Sequence, residues 1–511
     1  MVASGILLSR IAGLVRSRIF AHYLGSSDAA DAFNAALRIP NFLQNLFGEG
    51  VLSASFIPVY ARLNAEDRHG EASEVAEAIF SFLFFTTSVI VAVGVMATPI
   101  FIDIIAPGFH GAKRELTIRL VRILFPGVGL LVFSAWCLGI LNSHRKFFLS
   151  YAAPVVWNLS IIAGFLWRGG RVADYRLAEI VAWASVVGSA LQFGVQLPVV
   201  IRFLWPLRIH LRFGSEHVRT VVRNFFPVFA SRGVVQVSAY VDSILASFLG
   251  TGAVAALAYA QVLYLLPVSL FGMSVSAAEL PAMSSATGST EEIARALRGR
   301  IGRGLDQIAF FVVPSVVAFL ALGDVVVATL YRSGAFGARD VTYVWGVLAG
   351  AAVGLLASTS GRLYSSAFYA LRNTRTPLNF AAIRVALTVA LGWFCALPLP
   401  VMLHIDPRWG VAGLTISAGF AGWLEYMLLR HSLHKRIGAV PYSGVLMMKL
   451  WGAALVAAAI AFAIKRVLPI HRPVLVGACV LIPYGLIYVV MTSWMGISTF
   501  SGALSALRKR K

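Results

Sequence analysis

Charge is what this chain has least of. Asp, Glu, Lys and Arg make up 13% of its 511 residues, against roughly 25% in an ordinary soluble domain. Acid is scarcer than base, with 22 Asp and Glu against 43 Lys and Arg and a formal charge of +21. Cysteine is nearly absent. Cys137, Cys395 and Cys479 stand singly in apolar segments, which excludes a disulfide framework or a cysteine metal site and leaves them as small apolar core residues. The sequence also lacks a phosphate-binding glycine loop, a zinc-protease histidine pair, a nucleophile elbow and any cluster with metal-ligand spacing. ATP-driven work and those hydrolytic chemistries are excluded, so the expectation is a protein that is not an enzyme and needs no cofactor.

What fills the space is hydrocarbon: 59% of residues are hydrophobic and the mean hydropathy is +0.80. A bilayer takes about 20 apolar residues per helix. Such stretches recur at 2–23, 30–60, 76–104, 116–142, 148–168, 178–204, 221–249, 254–284, 304–331, 342–370, 378–400, 410–430, 444–466 and 473–494. The fold class is therefore an all-α polytopic membrane protein of about 14 transmembrane helices. Basic residues fall about two to one on the loops that share a side with the N-terminus, which places both termini in the cytoplasm. The excess charge is read as this topology signal plus attraction to anionic phospholipid. Scattered over short loops, it does not form a nucleic-acid surface. The first segment is too charged in its middle for a signal peptide and is expected to be retained.

The chain repeats itself. A block beginning at Ser9 and one beginning at Ser231 both run Ser-Arg, a helix, Leu-Gly, a small-residue turn, a helix broken by proline (Pro40, Pro267), Phe-Gly and a closing proline (Pro58, Pro281). Later pieces echo too, FHGAKRE at 109–115 against AFGARD at 335–340, and NSHRKF against LRNTRTP. Each repeat holds six helices, an even number, so the halves share one orientation and are related by an axis along the membrane normal. The expected organisation is a bundle at 1–204, an amphipathic cytoplasmic linker at 205–220, a second bundle at 221–432, and two further helices with a basic tail at 433–511. Two facing bundles enclose a cavity and work by alternating access.

Several charges lie where a bilayer resists them, at about 2.5–3.5 kcal/mol each near a helix centre. Arg10, Arg16 and Arg18 interrupt the first segment, and Asp31, Arg38 and Glu49 the second. At 100° per residue Arg10 and Arg18 sit about 80° apart, while Arg16, six from Arg10, points well away from it unless the helix bends, for which Gly13 gives a place to start. Guanidinium groups match phosphate and carboxylate oxygens bidentately, so an anionic cargo is the functional reading. The bland alternatives are that Arg10 or Arg18 snorkels to an interface and that Arg16 pairs with Asp31 across the short turn. Glu49 is either an ion site or a cap. In the second half Arg232 is the repeat mate of Arg10, Asp242 and Glu279 are isolated acids, and Arg122, Arg362, Arg384 and Lys449 isolated bases. Asp242 and Glu279 are candidate coupling sites for a proton or sodium, the alternative being a pair with one of those bases.

The opening block SRIAGLVRSRIFAHYLG…DAADAFNAALRIPNFLQNLFGEGVLSASFIPVYA, with APGF at 106–109, NSHRKF and AFYALRNTRTP, resembles the MurJ (MviN) family. These are lipid II flippases of the multidrug/oligosaccharidyl-lipid/polysaccharide exporter superfamily. The resemblance implies flipping of an undecaprenyl-diphosphate-linked peptidoglycan precursor across the bacterial inner membrane, with helices thirteen and fourteen lining a groove for the polyprenyl tail. Lipid II or a related polyprenyl-diphosphate glycolipid is then the cargo, and cell-wall synthesis proteins are candidate partners. The family's first-helix arginines match Arg10 and Arg16, its second-helix acid Asp31, and its F-x-E-G step Phe47–Gly50. Ser17 stands where the family often has an acid. Gln44 with Asn45, and Gln261 with Val262, replace two usual arginines. A sodium site seen in some members maps to Asp242, Val411 and Thr415, with Thr388 and Gly392 in place of its eleventh-helix ligands, and Arg362 and Arg384 are candidates to restore the missing positive charge. A flippase for another polyprenyl-linked glycan, a cation-coupled exporter, a cell-wall scaffold and an intramembrane glycosyltransferase are the competing readings.

Overall fold

The computed structural model describes residues 2–46, 52, 55–204, 216–223, 225, 240–285, 287–441, 443–470 and 472–497. Among them every regular element is helical. The first stretch gives α1 (Val2–Leu24), α2 (Asp28–Gln44), α3 (Ile57–Ala65), α4 (His69–Ile105), α5 (Gly111–Ser143), α6 (Phe147–Arg168) and α7 (Asp174–Leu204). Then come α8 (Val241–Ala246), α9 (Ala253–Pro267), α10 (Ser274–Ser284), α11 (Thr290–Ala321), α12 (Gly323–Tyr331), α13 (Ala338–Val353) and α14 (Leu355–Ala370). The last are α15 (Arg375–Ala396), α16 (Pro398–Met402), α17 (Gly410–Ile437), α18 (Gly444–Val467) and α19 (Pro473–Trp494).

Among the described residues ten helical stretches are individually long and apolar enough to cross a membrane, and α13 with α14, bent by 41°, makes an eleventh. The first two expected spans are not among them, because α1 carries three arginines and α2, at 17 residues, is too short. The seventh, 221–249, lies largely outside the described residues, as does most of the 205–220 linker. The chain is a multi-pass, all-α membrane protein.

Two compact units divide it: residues 1–255 with 333–336, and 256–332 with 337–511. In the first, α5 packs on α2, α4 and α7, and α6 on α1 and α7. Its largest buried side chain is Trp136, whose Nε1 donates to the Ala76 carbonyl at 3.1 Å between α5 and α4. Hydroxyls inside spans bond back one turn, Thr87 to Leu83 O at 2.6 Å and Thr98 to Gly94 O at 2.7 Å, so hydrocarbon meets no orphaned donor there.

In the second unit α17 packs on α13, α14 and α15, and α18 on α11 and α19. Ala453, Ala454, Ala457 and Ala461 of α18 are fully buried in the cluster that holds Phe310 and Val313 of α11. Pro314 has no N–H, so the carbonyl one turn back, on Phe310, loses its helical donor. The Tyr488 hydroxyl of α19 fills the gap, donating to Phe310 O at 2.7 Å, and Tyr484 donates to Pro314 O at 2.7 Å. Of the cysteines, Cys137 is in the core as expected, Cys395 is half-buried and Cys479 is exposed. A small apolar residue on a lipid-facing helix needs no burial, so the core assignment fails for Cys479.

Candidate functional site

Two adjacent helices of the first unit carry the charges that sequence reading singled out. Arg10 on α1 is exposed, while Arg16 and Arg18 are half-buried. The Arg16 guanidinium lies over the Trp157 ring of α6, 4.9 Å from its centroid, and Trp157 Nε1 is itself fixed by Ser185 Oγ at 3.1 Å. An aromatic face attracts a cation without using the N–H fork that an anion would take. Arg38 on α2 lies 5.7 Å from the centroid of Tyr240, and that hydroxyl donates to the Arg38 carbonyl at 3.3 Å. Asp242, one residue into α8, attracts Arg38 coulombically. The seventh-segment acid is thus brought to a second-helix arginine.

Asp31 does something other than the proposed pairing with Arg16. It is fully buried, and its Oδ2 meets Lys113 Nζ at 2.6 Å. Oδ2 also accepts from Gly252 N at 2.7 Å, and Oδ1 from Ala255 N at 2.7 Å. Gly252 and Ala255 open α9, so the carboxylate caps that helix with an acceptor and a favourable charge. Lys113 also reaches Asp28 Oδ1 at 3.0 Å, and Thr251 donates to Asp28 at 2.8 Å. With these donors Asp31 latches the turn after α1 to the start of α9.

The turns that meet here are repeat mates, Gly25–Asp28 after α1 and Gly250–Ala253 before α9. Gly252 has φ +84°, and a Cβ there would sit 2.7 Å from Ser26 O. Gly25, φ +53°, touches Ala335 in the same way, at 2.8 Å from its carbonyl. The Ala335 amide donates to His22 O at 2.8 Å. The echoed segments FHGAKRE and AFGARD therefore both dock on the one turn, the first through Lys113 and the second through Ala335.

In the second unit Arg384 of α15 pairs with Glu425 of α17, Nε to Oε2 3.2 Å. Arg362 on α14 is exposed and acts electrostatically on the same carboxylate. Glu279 pairs with Arg300 at 3.4 Å, a base that the sequence reading does not offer as its partner. Val411 is fully buried, and the Thr415 hydroxyl donates to Val347 O at 2.9 Å. Thr415 thereby ties α17 to α13. Among the described residues no group of three or more His, Cys, Asp or Glu could hold a metal. Glu49 and Arg232 lie outside the described residues. Sequence reasoning missed Lys113, counted as a loop charge, and Glu425, a lone acid inside an apolar span.

A family model described as lipid II flippase MurJ matches residues 20–484. The chain belongs to that family. It is 32% identical to the lipid II flippase MurJ of Burkholderia cenocepacia over 97% of this chain and 96% of that one. It is also 32% identical to the probable lipid II flippase MurJ of Rhizobium tropici, over 85% and 80% of the two chains. Among solved structures it superposes on a lipid II flippase MurJ in an inward closed conformation with a TM-score of 0.79, at 23% identity over 97% and 98% of the chains. An inward-facing MATE-family multidrug transporter of the MOP superfamily gives a TM-score of 0.64 at 19% identity, over 84% and 95%. Those two matches show the fold.

Proposed function

We propose that this chain carries lipid II from the inner to the outer leaflet of the bacterial inner membrane by alternating access, with both termini in the cytoplasm. The observation that carries the reading is the set of arginines on α1 and α2, with Arg16 braced by the Trp157 face and Arg38 beside Tyr240. Membership of the lipid II flippase family supports the cargo. A diphosphate is the partner that such a set fits, because the cost of holding guanidinium groups at membrane depth is offset when an anion accepts from their forks.

On this reading Arg10, Arg16 and Arg38 take the diphosphate and the headgroup carboxylates, while the polyprenyl tail stays in lipid beside α18 and α19. Glu49 and Arg232 are assigned to the same cavity by their sequence positions. The two six-helix repeats, 1–204 and 221–432, are the rocking bodies. The Asp31 latch closes the outer end. Hydrogen bonds to a charged acceptor contribute about 1.5–3 kcal/mol each, which makes two amide contacts and a lysine comparable with the few kcal/mol that separate states of a working switch. Phospholipid and cell-wall synthesis proteins are the remaining partners, and a scaffold role alone would leave the membrane arginines dispensable.

A second cargo, another polyprenyl-diphosphate glycan, draws support from neutral Gln44 and from Arg384 being engaged by Glu425. Complementation of a flippase-depleted strain tests function. Binding of purified protein to lipid II, undecaprenyl diphosphate and a glycan-linked analogue tests cargo. The chain should restore growth and bind lipid II best; a clear preference for the other glycan would overturn the assignment.

A further inference from the structure

The second unit holds a charged cluster that the latch and the α1 arginines do not use. Glu425 sits half-buried on α17, its side chain 19% exposed, against an Arg384 side chain that is 41% exposed. Arg362 acts on the same carboxylate from α14. Both guanidinium groups act on the Tyr264 hydroxyl of α9, which is held by Ser358 Oγ at 2.8 Å. Four helices thus contribute to one polar locus within an apolar unit. From the other elements packed against α17, ionisable groups bond to its ends and approach: Arg298 of α11 to the Ile437 carbonyl, and Tyr343 of α13 to the Arg408 carbonyl at 3.0 Å. On α17 itself Tyr426 stacks edge-on with Tyr364, and Arg430 acts on that same tyrosine.

Two guanidinium groups and one carboxylate sum to a single positive charge, too little for a diphosphate and too much for hydrocarbon. Helices α15 and α17 already pack along their lengths, so the ion pair is not needed as a staple. It sets a competing carboxylate 3.2 Å from Arg384 Nε, an edge of the guanidinium that an oxyanion would want. We infer that Arg362, Arg384 and Glu425 form a second oxyanion site, in which Glu425 holds Arg384 until a diphosphate takes the guanidinium and a proton takes the carboxylate. The exchange balances: hydronium in the solvent gives up the proton and leaves water, the site's charge rises by one as the anion enters, and the neutral acid donates to a phosphate oxygen. Glu425 is then a specificity-determining residue, since a zwitterionic or neutral headgroup gives no reason to release Arg384. This rests on the flippase reading and makes a proton the co-bound species.

The test is binding of undecaprenyl diphosphate to the full-length protein in detergent, from pH 8 to pH 6, with thermal melting as the folding control. Wild-type affinity should rise as pH falls, because protonation removes the internal competitor. Glu425→Gln should bind about tenfold tighter at pH 8, roughly the 1.4 kcal/mol of one decade, and lose that pH dependence. Arg384→Gln should bind about tenfold more weakly and also be flat. It serves as the deciding variant if Glu425→Gln shows no melting transition. Folded variants that bind as wild type does, with the same pH profile, would make the cluster a structural ion pair. Wild-type protein that binds no polyprenyl diphosphate at any pH would sink the flippase reading with it, whereas lipid II binding indifferent to both substitutions overturns this inference alone.

Discussion

The Asp31 carboxylate, fully buried, lies 2.6 Å from the ammonium of Lys113 and accepts from the amides of Gly252 and Ala255. Removing one partner of a buried pair costs about 3–5 kcal/mol, more than the pair itself is worth, because the other charge is left stranded. Asp31→Asn and Lys113→Met should each unlatch the turn. Labelling of a single cysteine at Ser26, in a background without the native cysteines, should rise with an impermeant thiol reagent, and complementation should fall. The charge swap with Arg16 should be additive, since those side chains do not share the pair. Recovery by that swap would refute the latch as drawn.

Arg16 is predicted to act through charge and fork geometry together. Arg16→Ala should abolish complementation at normal membrane abundance, and Arg16→Lys should retain weak function at most. Trp157→Ala should weaken rather than abolish it, because a cation–π contact contributes about 0.5–2 kcal/mol. Normal growth of the Arg16→Ala strain is the outcome that removes the residue from the site.

Asp242 is the acid placed to sense the state of Arg38. Transport in proteoliposomes should depend on a sodium or proton gradient, and Asp242→Asn should flatten the dependence. A wild-type protein indifferent to both gradients would leave membrane potential, acting on the cargo's charge, as the drive.

His144, in the turn after α5, accepts or donates at 2.9 Å to the Tyr60 hydroxyl and stacks on Phe203. Burial, with His69 nearby, holds its pKa below the ordinary 6.5. The unfolded chain then binds more protons, so the native state is at full strength above pH 6.5 and loses stability as pH falls below it. Melting temperature should drop between pH 6.5 and 5, and His144→Gln should reduce that drop. An unchanged slope in the variant would assign the pH dependence elsewhere.

Tyr488→Phe should destabilise by about 1–3 kcal/mol, the cost of leaving the Phe310 carbonyl unsatisfied beside Pro314. A lowered melting temperature, with helical content unchanged, is the readout. Pro314→Ala in the same background should restore part of the loss by returning the backbone donor.

Which helices span was legible in the residues, since hydropathy and length are local properties. So was the placement of Arg16 and Arg38 on neighbouring helices, which needs little beyond their spacing from Gly25. What Asp31 touches was not. Two of its partners are backbone amides, which carry no residue-type signal, and Lys113 looks like any basic loop residue until the turn is closed. Glu425 left a signal that could have been used, a single acid in GWLEYMLL, but its partner Arg384 lies on another helix and only packing joins them. Thr415 shows the converse. Its position matched a ligand pattern, while its hydroxyl is engaged in tying α17 to α13.

The latch also imposes a schedule on synthesis. Lys113 lies 82 residues beyond Asp31, whereas Gly252 and Ala255 lie 221 and 224 residues beyond it. At about 5–20 residues per second the amides emerge some tens of seconds after the acid has been inserted. Lys113 arrives much earlier and neutralises Asp31 while the second repeat is still being made. The same lysine that holds the finished turn shut is, during translation, the residue that lets an acid wait in the membrane for its helix.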